Sequence, residues 1–180
     1  MENTIGRFGI LAVAAGLLTG TARGQETGRV VHVVDSDTYD VVTGGQRVRV
    51  RLLGVDAPEY DQAFGAQATD SVAALLPVGR LVLLRRHGVD LYGRTLGSLV
   101  LPAAFGTDGC GALDSLLVVR GLAWAYDPAH KVASRAAQQA QAQAAGRGLW
   151  KYGVAAAVPP KLWRTFNYQN KRRFGVGCTW

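Results

Sequence analysis

Between Val33 and Arg94 the chain sets carboxylates and guanidinium groups at short spacings that an ordinary strand or turn does not require. The stretch "VVDSDTYD" places Asp35 and Asp37 two residues apart, on the same side of an extended chain just where a strand turns. "VRVRLLGVDAPEY" then sets Arg49 and Arg51 among branched apolar residues, breaks at Gly54, and delivers Asp56, Pro58 and Glu59 within four positions. Arg94 closes "DLYGR", where Gly93 allows a tight turn that aims it inward. Acids so placed suit a hard cation such as Ca2+, which takes about six to eight oxygens and draws on backbone carbonyls, water and a substrate phosphate when the protein offers few carboxylates. Arginines suit the complementary half, because a phosphodiester passing through a five-coordinate state gathers negative charge that a planar fork can grip at two oxygens. Each piece alone has a plainer reading. Asp-Ser-Asp in a bend is ordinary turn chemistry, and a lone strand-face arginine is usually solvated. Arg49 alternates on the same face as Arg51, and spacing leaves its role open. Pro58 restricts Ala57 to an extended conformation, so Glu59 is presented at a defined angle.

The elements that must position these residues follow from periodicity. "GRVVHVVDSDTYDVV" alternates apolar and polar residues from Gly28, and "TGGQ" is a hairpin turn before "RVRVRLLGV", which predicts three antiparallel strands in succession. "FGAQATDSVAALL" predicts a helix over 64–76, ended by Pro77 and Gly79. "RLVLLRRH" and "TLGSLVL" are two further strands joined through "GVDLYGR". "ALDSLLVVRGLAWAY" reads as a short helix that stops at Gly121. "HKVASRAAQQAQAQAAGRG" reads as a longer helix capped by Gly146 or Gly148, with a weak apolar face at Val132, Ala136, Gln139 and Gln143. Five short antiparallel strands with a helix after the third predict an α+β fold built on a small closed barrel of the OB type. The tail "VPPKLWRTFNYQNKRRFGVGCTW" has a Pro-Pro break, aromatics and the triplet Lys171, Arg172, Arg173. Such a tail can bind nucleic acid by phosphate contacts and stacking, or pack back on the domain.

A chain of 180 residues, 48% hydrophobic, fits one domain with an ordinary core and excludes wholesale disorder. A formal charge of +7 favours a polyanionic partner, since basic surface raises the local concentration of phosphate-bearing molecules. Arg7 ahead of an apolar run from Phe8 to Leu18, with small residues at Ala22 and Gly24, reads as an export signal over residues 1–24; an uncleaved membrane tether is the lesser alternative. His32, His87 and His130 form no ligand-spaced pair and are read as packed or solvated.

Taken in order, "VVDSDTYDV", "RVRLLGVDAPE", "DLYGR", "VVRGLAWAY" and "GRGLW" resemble the staphylococcal-nuclease-like, or thermonuclease, family from about Arg29 to about Arg164. The resemblance implies an OB-fold-type five-stranded barrel with three helices and a Ca2+-dependent phosphodiesterase that cuts DNA and RNA. Carried over residue by residue, it implies that Asp37 and Asp56 bind Ca2+ through their side chains and Ala57 through its carbonyl. Arg51 and Arg94 become the phosphate clamp, Glu59 the residue that orients or deprotonates water, and Tyr92 and Tyr126 aromatics of the substrate groove. It further implies a domain over 25–167 followed by the basic tail 168–180, and a monomer. The same barrel also occurs in binding modules that have lost the catalytic set, which is the main rival reading. Ser36 stands where glycine is usual between the hairpin aspartates, so a strained turn and weakened metal affinity are expected. Ala57 replaces a commonly polar residue, which matters little where only the carbonyl binds.

Cys110 and Cys178 are either two unpaired small hydrophobes or, after export to an oxidising compartment, one bridge. A bridge would contribute on the order of 4 kcal/mol. Reduction of the exported protein is then expected to raise its intact mass by the two hydrogens of the freed thiols, and an unchanged mass would show free cysteines.

Overall fold

The computed structural model describes residues 24–102, 111–126 and 134–174. Residues 1–23, His130, Cys110 and Cys178 lie outside the described residues, and with them most of the export segment and the proposed bridge.

Five main strands make the barrel: β1 (Glu26–Asp35), β2 (Thr38–Thr43), β3 (Gln46–Leu52), β5 (Leu81–Val89) and β6 (Thr95–Leu101). The order across the sheet is β3-β2-β1-β5-β6, with the two-residue strand β7 (Gly111–Ala112) beyond β6. Three of the four joins between neighbours in that order are the hairpins and the return expected from the sequence, and all are antiparallel. Closure differs from the all-antiparallel expectation. β3 pairs with β6 in parallel, Val50 with Thr95, Arg51 with Leu96 and Leu52 with Gly97. The barrel is therefore mixed, because the two strands that meet at the seam run the same way. Register shifts in β1 between Val30 and His32 and between Val33 and Asp35 bend that strand. One end of it can then pair with β5 while the other follows β2, which is what a small barrel demands of its longest strand.

Inside the barrel, alternate residues Tyr39 and Val41, Val50 and Leu52, Val82 and Leu84, Leu99 and Leu101 are fully buried. Burial of one such side chain stabilises the fold by roughly 1.5–3 kcal/mol relative to exposure. Helix α1 (Gly65–Leu75) follows the predicted 64–76 closely and buries Gly65, Ala68 and Val72, one stripe at helical spacing. Helix α2 (Leu113–Val119) adds Leu113, Leu117 and Val118 to the same core.

Helix α3 (Ser134–Ala144) docks differently from the expectation of a weak apolar face. Arg135 and Ala142 are the buried residues, whereas Ala136 is exposed. The helix is held by polar contacts: Arg135 bonds Asp114, Gln138 Nε2 donates to Ser115 Oγ at 2.6 Å, and Gln139 Oε1 accepts the Ala125 N–H at 2.7 Å. A buried guanidinium is tolerable here only because Asp114 stands opposite it.

Two further short helices, α4 (Pro160–Trp163) and α5 (Tyr168–Phe174), extend the three implied by the resemblance to five among the described residues. They pack back on the domain. Trp163 is fully buried, and Phe166 lies 5.8 Å from its ring and 5.7 Å from that of Phe174. No helix among the described residues is long and apolar enough to cross a membrane.

The motifs "RGLAW" and "GRGLW" meet at a glycine contact. Gly121 ends α2 at φ +68, and a Cβ there would lie 2.2 Å from the Arg147 carbonyl oxygen. This turn feeds the two-residue strand β8 (Trp124–Ala125), which pairs with β4 (Val55–Asp56) and so fixes Asp56 opposite Trp124. Gly121→Ala is expected to lower stability by about 2 kcal/mol or more, from backbone strain and the clash together. Urea unfolding with an unchanged slope checks it.

Candidate active site

Asp35 ends β1 and accepts the N–H of Asp37 through Oδ1 at 2.9 Å, the ordinary Asx-turn bond that the sequence suggested. Asp37 does more than turn the chain. Its Oδ2 accepts the Ala57 N–H at 2.8 Å and lies 2.6 Å from Arg51 Nη1. The other nitrogen of that guanidinium, Nη2, reaches Asp56 Oδ1 at 3.2 Å. One arginine thus bridges Asp37 and Asp56. Register makes this possible, since Arg51 pairs with Thr38, the neighbour of Asp37. Nη1 also donates to the Val55 carbonyl at 3.3 Å.

The same cleft, of about 330 Å³, is lined by Asp35, Asp37, Arg51, Asp56, Ala57, Pro58, Glu59, Tyr92, Arg94 and Arg164. Seven of the eight sequence-predicted residues are therefore together. Tyr126 is the exception: it is half-exposed, gives its N–H to the Gly54 carbonyl at 3.0 Å, and is not among the lining residues. Tyr92 is exposed at the rim, with the Arg94 guanidinium carbon 5.6 Å from its ring centre. Arg94 is steadied by Asp90, whose Oδ2 lies 2.7 Å from its Nε. Because β6 closes against β3, the turn that carries Arg94 comes to the same end of the barrel as Arg51.

Arg49 does not join them. It sits opposite Asp40 in the β2–β3 register and, with Arg47, clamps that carboxylate on the outer face: Arg49 Nε at 2.8 Å and Arg47 Nη2 at 2.6 Å. Strand alternation put Arg49 and Arg51 on one face, and the nearest carboxylate decided what each does.

Glu59 is placed by the start of α1. Its carbonyl accepts the Gln62 N–H at 2.9 Å, and its own N–H donates to Gln62 Oε1 at 3.2 Å. A Cβ on Gly65 would lie 1.8 Å from that same Glu59 carbonyl oxygen, so no larger residue fits under this loop. Ser36 is buried, with Oγ 3.2 Å from Thr69 Oγ1 and its carbonyl accepting the Tyr39 hydroxyl at 2.5 Å. It is not in the left-handed region, so the strain expected from a missing glycine is absent there.

Sequence reasoning missed Arg164. From the end of α4 its Nη2 reaches Asp56 Oδ2 at 3.0 Å and its Nη1 reaches Glu59 Oε1 at 2.7 Å. These two acids hold its guanidinium firmly in the charged form despite partial desolvation. Nothing in a tail arginine following a Pro-Pro break signals a partner so distant in the chain.

Burial pushes the Asp37 carboxyl up to about 8, against the pull of Arg51, and the Asp35 carboxylate adds to the rise. Such an acid is short of positive charge. Among the described residues no three His, Cys, Asp or Glu side chains form a ready metal cluster. The donor chemistry nonetheless fits a hard cation in an open site. Asp37 and Asp56 face one another across a single guanidinium, offer only oxygen, and leave the rest of a shell to carbonyls, water and substrate.

The family described as staphylococcal nuclease homologue matches residues 49–152. An uncharacterized endonuclease of Escherichia coli O157:H7 is 36% identical over 137 residues, 76% of this chain and 84% of its own. Protein ParB of Escherichia coli is 34% identical over 164 residues, covering 90% of this chain and 91% of its own. A micrococcal nuclease of Shigella flexneri is 32% identical over 167 residues, covering 91% and 95%. The chain belongs to the staphylococcal nuclease family.

Arg47 and Arg49 hold the Asp40 carboxyl down at about 2, below its ordinary 3.8. Because the folded value is depressed, this clamp stabilises the fold above pH 3.8 and its contribution is lost as pH falls through about 2. Both arginines are more than half exposed, so the contribution is about 1 kcal/mol after solvent screening. Asp40→Asn is expected to lose that amount at neutral pH and to converge with the parent between pH 4 and 2 in chemical denaturation. A difference independent of pH would assign the loss to packing instead.

Proposed function

We propose that the nuclease activity of the family takes the form here of exported, Ca2+-dependent hydrolysis of DNA and RNA phosphodiesters with little sequence selectivity. The chain is a nuclease by family membership, and so a hydrolase of phosphodiester bonds. What carries the finer reading is the single guanidinium of Arg51 set between Asp37 and Asp56, in one cleft with Glu59 and Arg94.

Charge supports the metal requirement. Burial disfavours an ionised Asp37 unless positive charge joins it, and with Asp37 ionised the acids Asp35, Asp37, Asp56 and Glu59 outnumber the guanidinium groups of Arg51, Arg94 and Arg164 by one. A divalent cation bound there supplies that charge and leaves the cleft net positive toward an entering phosphate. Asp37 and Asp56, with the Ala57 carbonyl, are the residues that would hold Ca2+. The bound ion would act as a Lewis acid on a phosphate oxygen.

The chain's own residues do the rest. Arg51 and Arg94 grip non-bridging oxygens of the scissile phosphate and meet the charge that grows as the transition state forms. Glu59 accepts a proton from water, or orients it, as the water oxygen attacks phosphorus in line with the ester bond that breaks. Tyr92 at the rim offers a face to the nucleotide. Outside the cleft, the basic chain favours polyanions in general, in keeping with weak sequence selectivity. Residues 1–24 have the charge and apolar pattern of an export signal, and delivery outside the cytoplasm is part of the proposal.

Digestion of single- and double-stranded DNA and of RNA tests the reading. Cleavage is expected to need Ca2+, to stop with chelator, and to fall about a thousandfold or more in Arg51→Ala. Glu59→Gln is expected to lose a hundredfold or more, about the range of a general base. A Glu59→Gln variant with full rate would remove that residue from the reaction. Binding that weakens steeply with salt but leaves every substrate intact would instead identify a nucleic-acid-binding module.

A further inference from the structure

The residues that hold Arg164 in the cleft form a closed mechanical loop with Glu59. Two and three residues after Glu59 come Asp61 and Gln62, and each grips the C-terminal segment. Gln62, 1% exposed, donates through Nε2 to the Val158 carbonyl while its Oε1 accepts the Glu59 N–H. Asp61 Oδ1 accepts the Trp163 indole N–H at 3.0 Å, and its Oδ2 lies 3.1 Å from Lys171 Nζ. Lys171 in turn stands 5.1 Å over the Trp163 ring. Trp163 and Pro160 are buried, so α4 is a fixed platform. Arg164 is the next residue along, and it returns to Asp56 and Glu59.

We propose that Arg164 is a positioning residue of the active site, delivered by the strap 158–164, which holds the Asp56 and Glu59 carboxylates in the orientation the reaction needs. The proposal rests on the assignment of those two acids to metal binding and to water. Stability is a poor explanation for the contact, because the Arg164 side chain is 48% exposed and ion pairs at such exposure contribute little. Geometry is a better one. A planar fork fixes two carboxylates at once in direction as well as distance, and among the described residues the guanidinium that touches Glu59 is that of Arg164. Both oxygens of Asp56 lie within 3.3 Å of an Arg164 nitrogen, so a cation on Asp56 must share that carboxylate with the guanidinium or displace it. The strap follows the last strand of the barrel by more than fifty residues and lies beyond the family segment 49–152.

Steady-state cleavage of a fluorogenic oligonucleotide by the full protein, beside Arg164→Ala and Arg164→Lys, tests this. In Arg164→Ala kcat is expected to fall tenfold to a hundredfold, the usual cost of misplaced groups, with KM within about twofold. Arg164→Lys should recover part of the rate, since charge returns without the fork. Calorimetric titration with Ca2+ gives a readout independent of turnover: Arg164→Ala should bind the ion about threefold or more tightly, with Asp56 no longer shared. Unchanged kcat together with unchanged Ca2+ affinity overturns the proposal while leaving the nuclease reading intact. A raised KM at full kcat also overturns it, by making Arg164 a substrate contact. Absence of cleavage by the parent removes the proposed catalytic reading, and the titration still decides whether Arg164 governs Asp56; unchanged affinity there overturns the proposal too.

Discussion

One guanidinium ties the working end of this protein together. Arg51 bonds Asp37 in the β1–β2 turn, Asp56 in β4, and the Val55 carbonyl, all from its place on β3. A lysine could neutralise either acid, but a point charge cannot hold two carboxylates and a carbonyl in fixed directions. The side chain is only 16% exposed, so its bonds are little screened by water. The turn, the third strand and the loop leading to Glu59 are therefore located relative to one another by a single residue that also faces the cleft.

The barrel serves that arrangement. Its parallel seam between β3 and β6 brings Arg94 to the end of the molecule where Arg51 lies, and the short β4–β8 ladder pins Asp56 against Trp124. Trp124 meets the buried Trp150 edge-on, with ring centres 5.3 Å apart, so the ladder is backed by a second small core of Ala142, Leu149 and Trp150. For the mechanism proposed, such support matters, since groups already aimed at the developing charge need no reorganisation during the reaction.

Desolvation sets the chemical character of the cleft. Burial pushes the Asp37 carboxyl up to about 8, and Asp56 lies between the guanidinium groups of Arg51 on β3 and Arg164 in the C-terminal segment. The C-terminal segment contributes Arg164 to the cleft, and Phe166 and Lys171 pack on Trp163 and Asp61, the docked arrangement that the sequence left open beside a tail that binds nucleic acid.

Much of this was legible in the residues themselves. Period-two alternation marks the strands of the barrel, Gly121 marks the end of α2, and the clustering of Asp37, Arg51, Asp56 and Glu59 within a few turns of chain marks the site, because local spacing and side-chain chemistry survive without knowledge of neighbours. What the tertiary structure decided is which identical groups find which partners. Arg49 and Arg51 share a strand face, yet Asp40 claims one and Asp37 the other. Arg135 is buried only because Asp114 waits opposite, and the parallel closure of β3 on β6 follows from closing five strands whose other four joins are all antiparallel. Arg164 reaches Asp56 only through the packing of Trp163. Ion pairs between residues far apart in sequence leave no periodic trace, since their energy depends on distance in space and on the exclusion of water, and both exist only once the chain has folded.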